Sequence, residues 1–239
     1  MKTEDRIRKK FNVACADYGL LADGDRVLVA LSGGKDSLML LRLMAQRARL
    51  YRPKIEVEAA HVIMDNIPYE TDRSYLQQFC DDCGVKLHIL HTSFDESTDH
   101  RKTKCFLCSW NRRKILFQFA TDNGFNKIAL GHHMDDILTT LLMNMTYEGS
   151  IQTMPPMLRM EHYPLSIIRP MCLVAESDIK EVAEREGFHK QKTVCPYDTV
   201  TKRAAINEVF HTLEQLNPEA RYSLWKSMTN IKENLLPNK

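Results

Sequence analysis

The sequence contains no run of about 18 consecutive uncharged apolar residues, so no helix of it is expected to cross a membrane. Its first residues, MKTEDRIRKKF, lack the apolar centre of a secretion signal. A cytoplasmic location with no membrane partner is the expectation. There is no internal repeat and no low-complexity segment. There is also little net charge: Lys and Arg exceed Asp and Glu by only two, which by itself does not announce a nucleic-acid binder. A disulfide framework is not expected of the seven cysteines in such a chain, which leaves metal binding, redox work or core packing.

What is present centres on Val27–Leu41, VLVALSGGKDSLMLL. A β-branched apolar run, Val27–Leu31, has the composition of a buried strand. Ser32-Gly33-Gly34-Lys35-Asp36-Ser37 follows, and then an apolar run of helical character. Strand, Gly-rich turn and helix start make an anion site. The glycines let backbone N–H groups approach a ligand, and the helix N-terminus adds a partial positive charge. Ser32, Ser37 and Lys35 add side-chain donors. The fitting ligand is a phosphate or pyrophosphate. The spacing is not that of a Walker A loop.

The rest of the chain alternates. Residues 1–22 read as a helix, with Phe11, Cys15, Tyr18 and Leu21 on one face. Strands are expected at Ile55–Val62, Lys86–His91, Lys127–Leu130 and Ile167–Pro170. Helices are expected at Glu70–Cys83, Ser109–Phe119, from Asp135 through about Tyr147 with Ile137, Leu141 and Met145 on one face, and at Glu176–Glu186. Gly84, Gly124 and Gly187 act as stops. Two further helices, Lys202–Leu216 and Arg221–Leu235, close the chain; packing on a partner subunit, RNA contact and core filling stay open for Tyr222 and Trp225, with core packing the plainest reading of an aromatic at helical spacing. With Val27–Leu31 this is an α/β fold: a parallel five-stranded sheet with helices on both faces, plus C-terminal helices. The expected organisation is a helical segment at 1–22, an α/β ATP-binding domain at 23–190, and a C-terminal loop with helices at 191–239. Ligands of such sheets bind at the carboxyl ends of the strands, which makes His61 and Asp65 candidates to face a nucleotide.

Cys105 and Cys108 have metal-ligand spacing just before a helix, where the dipole favours the thiolate form that binds metal. Cys195, in VCPYD, supplies a remote third thiol. Tetrahedral zinc would take a fourth ligand, whereas an iron–sulfur cluster held by three cysteines leaves one iron open. Asp198 stands three residues after Cys195. Cys80 and Cys83 also form a CxxC, but on a helix, and read as partly buried structural residues. Asp135 and Asp136 open a helix after a strand, where they could hold a cation, act on a proton or compensate the helix dipole. His132 and His133 are read as packing or hydrogen-bonding at that turn. Basic residues gather at Arg101, Lys102 and Lys104, at Arg112, Arg113 and Lys114, and at Lys190, Lys192, Lys202 and Arg203. These groups flank the cysteines, although solvated surface charge is the plain reading of any one of them.

SGGKDS resembles the PP-loop of the N-type ATP pyrophosphatases. SGGKDS, CFLCSWNRRKIL, KIALGHHMDDILTTLLMNM and MPPML, in that order and continuing through IIRP, resemble the tRNA 2-thiocytidine synthetase (TtcA) family over nearly the whole chain. That resemblance implies a PP-loop adenine nucleotide α-hydrolase-like fold, ATP with Mg2+, and a 4Fe-4S cluster held by Cys105, Cys108 and Cys195. The implied reaction replaces the C2 oxygen of an anticodon-loop cytidine, C32, with sulfur. The implied partners are tRNA, a sulfur donor such as a cysteine desulfurase, and a second copy in a homodimer. The candidate ATP contacts are Ala30, Ser32, Gly33, Gly34, Lys35, Asp36, Ser37, His61 and Gly131. Lys35, Asp135, Asp136 and Arg112 are the candidate catalytic residues. The family pattern has a cysteine where this chain has Asp198. Two alternatives stand beside this reading: another PP-loop enzyme with structural zinc acting on a different base, and a non-catalytic ATP- or RNA-binding relative.

Overall fold

A computed structural model of the chain describes residues 2–67, 71–95, 103–189 and 202–237. In chain order its elements are α1 (Thr3–Asp17), β1 (Arg26–Ala30), α2 (Lys35–Ala48), β2 (Glu56–Met64), α3 (Arg73–Cys83), β3 (Leu87–Thr92), α4 (Lys104–Asp122), β4 (Lys127–Ala129), α5 (Met134–Met143), β5 (Met157–Arg159), β6 (Ser166–Ile168), α6 (Glu176–Arg185), α7 (Lys202–Leu216) and α8 (Ala220–Ser227). They fall into two units: Met1–His133 with Pro156–Asp198, and Met134–Pro155 with Thr199–Lys239.

The first unit holds the sheet, in the order β3-β2-β1-β4-β6-β5. Side chains alternate across it. Val27 and Val29 of β1 join the α1, α2, α3 and α6 side, with Ile7, Phe11, Leu38, Leu76 and Ile179. Leu28 joins the opposite side, with Leu116, Phe117 and Ala120 of α4. All three β1 residues are fully buried, as a strand covered on both faces requires. β1 pairs in parallel with β2 and with β4, so the crossovers reverse direction between them. The carboxyl ends of β1 and β4 therefore flank the switch point, where open sheets bind ligands.

Among the described residues the sheet has six strands, not five. β1–β4 and β6 run parallel, and β5 pairs antiparallel with β6 at the edge. At three residues, half-exposed and just after Pro155-Pro156, β5 shows no alternation that sequence patterning could find. α3 begins at Arg73, where Asp72 accepts a hydrogen bond from the Tyr75 N–H at 2.9 Å, and stops at Gly84 with φ +69°. Cys80 is buried and Cys83 partly so, as expected of structural thiols.

The second unit is built on α5, α7 and α8. α5 ends at Met143 and a single π turn, Asn144–Glu148, carries the chain on. A π turn shifts the side-chain register. Ile137 and Leu141 are buried, whereas Met145, expected on the same face, is exposed. The last helix is shorter than its pattern. It stops at Ser227, and after Thr229 and Asn230, weak helix formers, only a 3-10 turn at Glu233–Leu235 follows. Tyr222, against the plainest reading of it, is exposed.

At the amino edge of the sheet the Asp25 carboxylate is buried. It accepts from Lys127 Nζ at 2.6 Å, from the Ala22 N–H at 2.6 Å and from Asn126 Nδ2 at 2.8 Å. Lys127 has one further acceptor, the Leu20 carbonyl at 2.8 Å. Removing the carboxylate strands a buried ammonium. Asp25→Ala is expected to lower unfolding free energy by about 3–5 kcal/mol in urea denaturation. A loss under about 1 kcal/mol, the scale of an exposed pair, would contradict this.

Candidate active site at the carboxyl edge of the sheet

The chain leaves β1 at Ala30 and turns through Leu31–Gly34 into α2. Gly33 has φ +88°, a conformation that favours glycine. The loop is tied by hydroxyls: Ser37 Oγ accepts from the Gly33 N–H at 3.1 Å and donates to the Gly34 carbonyl at 2.9 Å. Ser32 Oγ lies 3.1 Å from Ser37 Oγ and accepts from the Gly34 N–H at 3.3 Å. No side chain caps α2 at Gly34, so the first-turn N–H groups face outward as an anion cradle.

Lys35 stands at this helix start. Its ammonium lies 2.9 Å from Glu176 Oε1, in the first turn of α6, and 3.1 Å from the Asp36 carboxylate. Burial disfavours its charge, but Asp36 and Glu176 more than offset that and raise its pKa. Burial likewise works to raise the Glu176 pKa, yet Lys35 and Lys180 hold it below the ordinary carboxylate value. The Glu176 role has no local sequence signal, because the two residues lie 141 positions apart.

The turn after β4 packs onto the same helix start. A Cβ on Gly131 would lie 3.1 Å from the Asp36 carbonyl carbon and the Ser37 nitrogen. Gly131, a candidate nucleotide contact, thus permits close approach of two backbones. His133 is buried, with Nε2 3.8 Å from Asp36 Oδ1. His132 Nδ1 accepts from Arg169 Nε at 3.2 Å. Both histidines hydrogen-bond or pack at the turn, as their sequence position implied. Arg169, directly after β6, is buried, and burial lowers its pKa. A charge immediately after an apolar strand was the signal for it, and the sequence reading passed over it.

His61 is buried within β2. Its Nδ1–H donates to the Leu31 carbonyl at 2.7 Å, fixing the backbone just before the loop. Burial, with the charges of Arg112 and Arg73, lowers its pKa and keeps the ring neutral at pH 7. Its effect is to hold the strand end. Asp65 lies at 2.8 Å from His91 Nδ1, exposed at the end of β2.

α4 brings the cysteine pair to this edge. Thr103 caps the helix, its hydroxyl accepting from the Phe106 N–H at 3.3 Å, so Cys105 and Cys108 lie inside the first two turns and not before them. Three residues apart, they share a face. Cys105 is exposed; Cys108 packs with Met64, Ile67 and Phe94, where β2 ends. Arg112 is half-buried one turn further along. Cys195 and Asp198 lie outside the described residues, as do Arg101, Lys102, Lys190 and Lys192. Among the described residues no three His, Cys, Asp or Glu side chains gather into a metal site. Two accessible thiols on one helix face fit part of a three-cysteine ligand set.

Asp135 and Asp136 begin α5, in the second unit. Asp135 accepts from Arg221 Nη1 at 2.6 Å and Asp136 from Arg203 Nη2 at 2.5 Å. Arg221 also donates to Glu214 at 2.7 Å; burial disfavours its charge, but the two acids raise its pKa. The structure thus gives both acids arginine partners.

A profile of the PP-loop domain family matches residues 3–208. Curated relatives named tRNA-cytidine(32) 2-sulfurtransferase match nearly the whole chain. The one from Bdellovibrio bacteriovorus is 38% identical, over 97% of this chain and 90% of its own length. The one from Chromohalobacter salexigens is 34% identical, over 96% and 82%. Among solved structures, the U34-tRNA thiolase NcsA from Methanococcus maripaludis, described with its 4Fe-4S cluster, has a TM-score of 0.77 at 23% identity, covering 99% of this chain and 84% of that one. NMN synthetase from Francisella tularensis gives 0.56 at 13% identity, covering 100% of both. Both likenesses show the fold.

The Lys35–Glu176 pair sets a pH dependence. The lowered Glu176 contributes stability fully above the ordinary carboxylate pKa, lost as pH falls through its folded value. The raised Lys35 contributes fully below the ordinary ammonium value, lost as pH rises through its folded value. Glu176→Gln is expected to flatten the acid limb of the stability–pH curve and part of the alkaline limb. Denaturation across pH checks this, and a curve parallel to that of the unaltered protein would contradict it.

Proposed function

The chain belongs to the PP-loop family and, within it, to the tRNA-cytidine(32) 2-sulfurtransferases, and on that premise we propose that it thiolates an anticodon-loop cytidine of tRNA at the expense of ATP. One observation carries the proposal: the phosphate loop closes β1 while the cysteine pair of α4 sits where β2 ends, on the same sheet edge. β1 and β2 are paired neighbours.

In the first step the cytosine C2 oxygen attacks the α-phosphate of ATP. A P–O bond forms, the bond to the β-phosphate breaks, and pyrophosphate leaves. The α2 N-terminus and Lys35 stabilise the charge on the phosphates, while Glu176 and Asp36 hold the ammonium in place. In the second step hydrosulfide adds to C2; a thiol reductant releases it from the donor's persulfide, the two thiol sulfurs ending as a disulfide. The C2–O bond breaks, AMP leaves, and the proton of hydrosulfide is released. Adenylation turns a poor leaving group into AMP. A 4Fe-4S cluster held by Cys105, Cys108 and Cys195 would supply an iron open to reduced sulfur. Arg112, one turn beyond Cys108, would orient phosphate beside that site. Mg2+ would arrive on the ATP phosphates, to which it binds with few protein ligands. Asp135 and Asp136, engaged by arginines, then stabilise α5 and need not ligate it.

The sulfur donor is of the cysteine desulfurase kind, and the setting is the cytoplasm, where such tRNA is modified. A homodimer is what the family resemblance implies.

Nucleoside mass spectrometry of tRNA from cells lacking this gene tests the reading. The expected result is loss of 2-thiocytidine, restored by the unaltered gene and not by Cys105→Ala. Lys35→Ala is expected to slow thiolation by about 10²–10³-fold. An unchanged 2-thiocytidine level would overturn the assignment.

A further inference from the structure

The exposed face of α4 carries a stripe of aromatic and basic residues around Cys105. Lys104, Cys105, Phe106, Ser109, Trp110, Arg113 and Lys114 are all exposed and recur at spacings of three and four. Trp110 is 47% exposed and Phe106 41%, large apolar areas for a water-facing helix. Lys114 Nζ lies over the Trp110 ring, 5.2 Å from its centroid. No acid occurs from Lys104 until Asp122. A helix whose wet face pairs aromatics with cations, and excludes acids, is complementary to a polyanion that also offers π faces. Duplex RNA hides its bases, whereas a single-stranded loop splays them for stacking on aromatic rings and guanidinium planes.

We infer that this stripe of α4 is a docking surface for single-stranded RNA, with Trp110 stacking on an unpaired base and Lys104, Arg113 and Lys114 on the adjoining phosphates. The inference rests on the tRNA reading and deepens it, because the stripe contains Cys105. Trp110 stands five residues from Cys105, about 7.5 Å along the axis, or roughly two nucleotide steps. The base on Trp110 is therefore a neighbour of the target cytidine, not the target itself. The cations alone would bind duplex and loop alike; the ring supplies the preference for the loop.

The chain has two tryptophans, so a Trp225→Phe background reports on Trp110 alone. Its fluorescence is expected to be quenched by an anticodon stem–loop RNA and not by a blunt duplex of equal length. Trp110→Ala is expected to weaken stem–loop binding by about 5- to 150-fold, the range of one base–aromatic stack, with Trp110→Phe restoring most of it. Melting temperature and ATP affinity should stay unchanged, which a merely structural role for the ring would not give. Lys114→Ala should reduce the salt slope of binding by about 0.7. Equal quenching by duplex, or stem–loop affinity unaltered in Trp110→Ala, overturns the inference and leaves the thiolation reading standing. So does normal RNA binding with slowed thiolation only when a donor protein delivers sulfur, which would make the stripe a protein-docking face. Failure of the unaltered chain to bind any stem–loop overturns both.

Discussion

The first unit depends on the parallel pairing of β1 with both β2 and β4. At the carboxyl end of a central strand whose neighbours are reached by opposite crossovers lies the switch point where open sheets bind ligands. The phosphate loop lies there because it is the turn leaving β1. The turn leaving β4 closes against it, and only a residue without Cβ lets Gly131 meet the first turn of α2. β2 contributes on the other side: His61 holds the Leu31 carbonyl, and its last residue, Met64, packs with Cys108. One pairing pattern therefore fixes the anion cradle, its backing and the approach of the cysteine helix.

Charge is organised differently in the two units. In the first, Lys35 is balanced by two acids at the mouth of the cradle, so a phosphate would exchange one set of anionic partners for another. Arg169 is held buried near the same edge and joined to His132. In the second, the acids opening α5 are matched by Arg203 and Arg221 of α7 and α8. The Arg221–Asp135 pair is the more buried of the two, and a buried pair loses much when one partner is removed.

The strand–loop–helix at 27–41 was legible because three independent signals coincide there: a β-branched run, glycines and a helical apolar pattern. Gly84 and Gly187 ended their helices for the same local reason. The start of α4 could have been read from Thr103, whose hydroxyl caps it. What escaped was non-local or too short to have a period. Glu176 meets Lys35, and Arg221 meets Asp135, across long stretches of chain. β5 has three residues, and the last helix fails at Thr229 and Asn230 where helix propensity is weak. The acids at 135–136 were legible as a helix start, but their arginine partners were not.

If one sheet edge couples ATP cleavage at the α-phosphate to sulfur insertion into a base, AMP and 2-thiocytidine form in equal numbers. The most direct measurement counts AMP released per 2-thiocytidine formed, with purified anaerobic protein, tRNA, ATP and a sulfide source. The expected result is one AMP for each thiolated base and no AMP without tRNA. Thiolation accompanied by ADP and phosphate, or proceeding without ATP, would contradict it.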